Sequence, residues 1–121
     1  MRYALLIYTD ESTAAEAGSA ESAQIYEAYR KFTEDITSEG INLGGEALHE
    51  TGSATTVRVR SNETLTTDGP FAETKEALGG FYLIDVADLD EAIAVAARLP
   101  GSWHGSVEIR PIWEFDMGSG A

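Results

Sequence analysis

Tyr3-Ala4-Leu5-Leu6-Ile7-Tyr8 is apolar on both of its alternating faces, with Tyr3, Leu5 and Ile7 on one and Ala4, Leu6 and Tyr8 on the other. Successive side chains of a strand point to opposite sides, so a strand greasy on both must be covered on both. In a chain of 121 residues this predicts helices on one face of a sheet. On the other face it predicts a second copy of the chain, hence a homodimer.

Outward from that strand, Thr13-Ala14-Ala15-Glu16 matches a capping box and predicts a short helical turn ending at Gly18. Ile25, Tyr29, Phe32 and Ile36 then recur at helical spacing, with Glu27, Arg30, Lys31, Glu34 and Asp35 mostly on the other side. The spacing predicts a helix over 22–39, capped by Ser19 or Ser22 and closed by Gly40. A short strand is expected within 41–49, after the Gly44-Gly45 pair. Residues 55–60 alternate cleanly, turn at Ser61-Asn62-Glu63 and return through Thr64-Leu65-Thr66-Thr67 as a hairpin.

After a turn at Asp68-Gly69-Pro70, residues 80–86 read as a strand, with Phe81 and Leu83 opposite Tyr82, Ile84 and Val86. Asp88 and Glu91 open a second helix that is expected to bury Leu89, Ile93 and Ala96 or Ala97 and to stop at Pro100. The last strand, 107–115, contains Pro111, which cannot donate a ladder bond and so predicts an edge or a bulge. Residues 117–121 read as a frayed tail. The order is β-α-β, an inserted hairpin, then β-α-β. It predicts one α+β domain over 1–116, an antiparallel sheet with two helices on one face.

Composition narrows the chemistry. Eight Lys and Arg against 21 Asp and Glu give a formal charge of −13. Such a surface repels phosphate backbones and anionic lipids, so neither nucleic acid nor membrane is an expected partner. The absence of cysteine excludes disulfides, thiolate catalysis and Cys-based metal sites. No apolar run approaches the ~20 residues that cross a bilayer. The N-terminal stretch reads as a strand rather than a signal peptide, and a cytoplasmic setting is expected.

The segment Thr67-Asp68-Gly69-Pro70-Phe71-Ala72-Glu73-Thr74-Lys75-Glu76, followed by Leu78-Gly79-Gly80-Phe81-Tyr82, resembles the signature of the DGPF group of YCII-related proteins. The likeness continues through Tyr3-Ala4-Leu5-Leu6-Ile7-Tyr8, Ala54-Thr55-Thr56-Val57-Arg58, Asp88-Leu89-Asp90-Glu91-Ala92 and Val107-Glu108-Ile109-Arg110-Pro111-Ile112. It implies a ferredoxin-like fold that pairs into a dimeric α+β barrel, without implying a known reaction. Relatives of this group are often encoded beside extracytoplasmic-function sigma factors, which leaves a regulatory role with a protein partner open. Cofactor-free monooxygenases on the same barrel supply a further alternative, by analogy of fold alone. Some wider YCII relatives use a His–Asp pair, the His in the first helix and the Asp in a D-P dipeptide after the second. Here the predicted first helix lacks histidine and the dipeptide is Leu99-Pro100, so that mechanism does not transfer.

Two readings of Asp68 stand side by side. A short carboxylate opening a turn can bond its own backbone two residues on. Alternatively Asp68 faces a cleft beside Phe71 and acts as a general base in cofactor-free proton transfer, its pKa raised by apolar neighbours. Glu73-Thr74-Lys75-Glu76 is either a solvated loop or a fold-over segment in which Lys75 anchors an anionic substrate and Glu73 orients it. Arg58 and Arg60 share a strand face with Thr56 and either bind a substrate carboxylate beside Arg110 or pair with some of the many acids. His49 and His104 have no metal-ligand spacing, so no metal or cofactor is expected. The strand aromatics Tyr3, Tyr8, Phe81, Tyr82 and Trp113 read as core or dimer seam. The leading expectation is a protein that binds a small organic molecule between sheet and loops.

Overall fold

The computed structural model describes residues 1–16 and 18–115. The expected tail at 117–121 lies outside them. The chain runs β1 (Arg2–Thr9), α1 (Ala20–Ser38), β2 (Asn42–Ala47), the hairpin β3 (Thr55–Arg60) and β4 (Glu63–Asp68), β5 (Ala77–Asp85), α2 (Leu89–Ala97), α3 (Gly101–His104) and β6 (Ser106–Pro111). β1, β2, β5 and β6 form one antiparallel sheet in the order β2-β5-β1-β6, while β3 and β4 form a separate two-stranded sheet. Pro111 ends β6, an outer strand of the larger sheet, where a missing N–H is harmless.

Local chemistry sets the ends of α1. The Ser19 hydroxyl oxygen accepts the Ser22 N–H at 3.1 Å, satisfying one of the orphan donors of the first turn. At the other end Gly40 adopts φ 76°, its N–H bonds the Thr37 carbonyl, and the Ile41 N–H reaches back to the Ile36 carbonyl. This is a Schellman closure, and a side chain at Gly40 would be strained in it. The solvent face of α1 carries Arg30 between Glu27 and Glu34, and Lys31 beside Asp35.

Both long helices cover one face of the larger sheet. Tyr3, Leu5 and Ile7 of β1 are buried with Ile84 of β5 against Phe32 and Ile36 of α1, Ala92, Val95 and Ala96 of α2, and Leu99. The register places Ala4 opposite Leu83 and Leu6 opposite Phe81, so these four side chains turn away from the helices. They are half-buried in the single chain, as is Tyr8.

Several expectations need correction. The first helical turn is Glu11–Thr13, not one capped by Thr13. Asp10 Oδ1 accepts the Ser12 N–H at 3.0 Å, and the Thr13 hydroxyl is spent on the Asp10 carbonyl. In α2, Leu89 and Ile93 are half exposed, whereas Ala92, Val95 and Ala96 are buried. Small side chains let this helix approach the sheet closely, and the larger pair is left at its rim. The second helix does stop before Pro100, at Ala97, and Pro100 itself stands at the N-terminal cap of the further short helix α3, which was not expected. The last strand stops at Pro111 rather than 115, and beyond it the rings of Trp113 and Phe115 stack with centroids 5.5 Å apart. No described helix is long and apolar enough to cross a membrane.

Candidate functional site

The residues singled out in the signature segment do not gather into a pocket of the single chain. Asp68 ends β4 opposite Thr55 and is exposed; Phe71 is 80% exposed, and Glu73 and Lys75 are exposed as well. Arg58 and Arg60 are exposed and lie on the hairpin face opposite to that of Asp68, since they sit across from Leu65 and Glu63. Neither arginine forms an ion pair among the described residues. Arg110, by contrast, pairs with Glu108 on the larger sheet.

The turn itself is held by backbone. Gly69 takes φ 98°, its N–H donates to the Ala54 carbonyl at 2.7 Å, and the Thr56 hydroxyl donates to the Gly69 carbonyl at 2.8 Å. The turn-capping reading of Asp68 therefore fails on chemistry: two residues on stands Pro70, which has no N–H to give. At the far end of the segment Glu76 accepts the Ser106 hydroxyl at 2.9 Å, which ties the loop to β6.

Concave surface lies elsewhere, between α1 and the β2–β5 side of the sheet. A cleft of about 590 Å³ is lined by Ile25, Tyr26, Tyr29 and Thr33 of α1, by Gly45, Glu46 and Ala47 of β2, and by Gly79, Gly80, Phe81 and Tyr82 of β5, among others. Its origin is a set of missing side chains. Gly45 pairs with Tyr82 and Ala47 with Gly80, while Gly80 pairs with buried Ile7, so the floor beneath this part of α1 is nearly bare backbone. The bareness is enforced. A Cβ at Gly45 would collide with the Phe81 carbonyl oxygen, and one at Gly80 would lie 3.0 Å from the Glu46 carbonyl oxygen. A bulge falls at the same place, because the β1–β5 register passes from Ile7 opposite Gly80 to Tyr8 opposite Leu78 and skips Gly79.

Polar groups are few and placed. The Tyr82 and Thr33 hydroxyls are 2.6 Å apart, and the Tyr82 ring meets Phe32 edge-on at 5.1 Å. Burial and the neighbouring Tyr82 push the Tyr29 phenol up, with a Gly101 backbone hydrogen bond acting the other way, so Tyr29 is protonated at neutral pH. A second hollow of about 460 Å³ shares Thr9, Ser22, Ile25 and Tyr29 with the first and adds Asp10, Glu21 and His104. The Asp10 carboxyl is held below its usual range by the hydroxyl and N–H of Ser12, with a smaller contribution from Lys75. His49 lines neither hollow.

Sequence reasoning passed over this cleft. Its signal was present as two glycine pairs, Gly44-Gly45 and Gly79-Gly80, in strands that become neighbours, together with Ser22, Tyr26, Tyr29 and Thr33 along one helix. No group of three or more His, Asp or Glu suited to a metal ion occurs among the described residues.

The YCII-related domain family matches residues 1–116. An uncharacterized protein of Rhizobium meliloti (strain 1021) is 42% identical over 115 residues, covering 93% of this chain and 92% of that one. With the match spanning the sheet, both long helices and the signature segment, the chain belongs to the YCII-related family.

Proposed function

We propose that this protein binds a small organic molecule in the cleft between α1 and the β2–β5 side of the sheet, and that it does so as a homodimer. The observation that carries the reading is the cleft of about 590 Å³, floored by glycine and walled by tyrosines. Ligand sites are typically concave, mostly apolar spaces of ~300–1,000 Å³ with a few convergent polar groups.

Within the family we assign the chain to the DGPF group, on its Asp68-Gly69-Pro70-Phe71 segment. The β2-β5-β1-β6 order with two long helices on one face supports a ferredoxin-like subunit. Half-buried Ala4, Leu6, Tyr8, Phe81 and Leu83 support closure of a dimeric α+β barrel across the other face. Catalysis by Asp68 as a general base requires that the second copy cover it, because in one chain the carboxylate is exposed and has no cleft around it. The rival, a non-catalytic module that docks on a protein partner, draws its support from Phe71, which is 80% exposed in the signature loop.

The test is a fragment titration followed by amide chemical shifts in the protein and in an Ala47→Trp variant. Ala47 is exposed at the end of β2 and lines the cleft, so the indole fills it without disturbing the core. Fragments are expected to shift the amides of Tyr29, Gly45, Gly80 and Tyr82 in the native protein and not in the variant. Shifts confined to 68–76, or none at millimolar fragment, overturn the proposal.

A further inference from the structure

The cleft has a chemistry more specific than its shape. Thr33 and Tyr82 contribute two hydroxyl protons, and their 2.6 Å separation places one of them between the two oxygens. The other has no protein acceptor among the described residues, because each hydroxyl bonds only to its partner. Leaving a hydroxyl proton unmatched in a half-buried apolar setting costs free energy that a ligand acceptor recovers. Tyr29, held protonated, brings a second phenolic donor to the same wall.

The charges around these donors point one way. Among the described residues Glu46 is the only charged side chain lining the cleft, and no Lys, Arg or His lines it. The chain as a whole carries −13. A carboxylate or phosphate entering here meets repulsion and no cation, whereas an uncharged acceptor meets hydroxyl donors in an apolar setting. The floor at Gly45 and Gly80 carries no side chain, so a flat molecule lying on it meets backbone alone.

From this we infer that the cleft selects uncharged, planar, largely apolar molecules bearing one hydrogen-bond-accepting oxygen, a ketone or an enone, whose oxygen is received by the Thr33–Tyr82 hydroxyl pair. The inference rests on the binding reading above and adds the ligand class to it.

The experiment compares three probes of one shape: 1-indanone, indane and indane-1-carboxylate, each titrated against the protein with the cleft amides as reporter. The ketone is expected to bind about tenfold tighter than the hydrocarbon, the worth of one well-placed hydrogen bond, and the carboxylate more weakly than either. Tyr82→Phe and Thr33→Val should each weaken the preference for the ketone, since one hydroxyl donor remains, and the double variant should erase it. Tyr82→Phe keeps the ring that packs on Phe32, so it stands even where the threonine change disturbs α1. Equal binding of indanone and indane by the native protein, or tightest binding of the carboxylate, overturns the ligand class and leaves cleft binding intact. Failure of both neutral probes to move the cleft amides overturns this inference and the binding reading together.

Discussion

β1 and β3 both alternate, yet β1 lies at the centre of the molecule and β3 at its surface. Tyr3, Leu5 and Ile7 of β1 are 3%, 0% and 6% exposed, whereas Val57 and Val59 of β3 are each 58% exposed. The difference lies in what each strand has beside it. β1 is flanked by β5 and β6 and roofed by two helices, whereas β3 pairs only with β4. Two strands alone cannot bury a face, since a lone hairpin is marginal in water. Alternation therefore sets which side chains share a face, and the neighbouring elements decide whether that face is buried.

The sharpest way to break this comparison is a pair of truncations. Leu5→Ala removes a fully buried side chain from the centre of the core and should cost about 2–5 kcal/mol. Val57→Ala removes a half-exposed one and should stay within about 0.5 kcal/mol. Urea melts of the two variants measure both. A Val57→Ala cost near that of Leu5→Ala would mean the hairpin is packed against something in solution, and the contrast drawn here would fail.

A second test uses one strand's two faces. Leu6 lies beside Leu5 but turns away from the helices, opposite Phe81. Leu6→Glu should leave the subunit folded and convert a dimer to a species near 13.0 kDa by light scattering, because a charge in an apolar seam is left unpaired. A native protein that scatters as 13.0 kDa at micromolar concentration removes the dimer altogether.

The features that were legible in the sequence are those whose physics is local. Ser19 and Gly40 frame α1, and Asp88 with Glu91 starts α2, because each cap involves residues within a few positions of one another. The Asp88 carboxylate accepts the Glu91 N–H at 2.9 Å, and Glu91 in turn accepts the Ala87 N–H at 2.7 Å. The face of α2 was harder. Leu89 with Ile93, and Ala92 with Val95 and Ala96, are both helical stripes, and only the closeness of the sheet selects the second. The hairpin was read in its right place, with its turn tightened to Ser61 and Asn62, both at positive φ, which suits a two-residue turn. The two glycine pairs that floor the cleft stand in the sequence, but that they become neighbours is a property of strand pairing, not of spacing along the chain.

A smaller effect probes how the two long helices are joined at their C-terminal ends. Arg98, after α2, meets Glu39, after α1, through two hydrogen bonds of 2.8 and 3.0 Å. The guanidinium holds the Glu39 carboxyl below its usual range. A carboxyl whose pKa is lower folded than unfolded stabilises above the unfolded value and loses that contribution as pH falls through the folded one. The stability gap between the native protein and Glu39→Gln should thus be greatest near neutral pH and close as pH falls below the usual carboxylate range, as followed by urea midpoints. Taking the difference cancels the relief of self-repulsion that protonating the other acids brings to both proteins. A gap that stays constant with pH would show that Arg98 gains nothing from the charge.

The smallest stability effect is expected at Asp68, the residue on which the hairpin and the body differ most in consequence. Its carboxylate has no hydrogen-bond partner among the described residues, and the turn after it is closed by Gly69, Ala54 and Thr56 instead. Asp68→Asn keeps the shape of the side chain and removes its charge and basicity. With no bond to lose, stability should change by less than about 0.5 kcal/mol. Affinity for a neutral probe in the α1 cleft should also hold, because Asp68 does not line it. If the dimer covers Asp68 and uses it as a general base, turnover falls by about 10²–10⁴ while both of those quantities stay put. A loss of several kcal/mol would instead make Asp68 a paired charge buried in the assembled protein. In that case the hairpin would belong to a core shared between two copies, and its exposure in one chain would measure only the absence of the other.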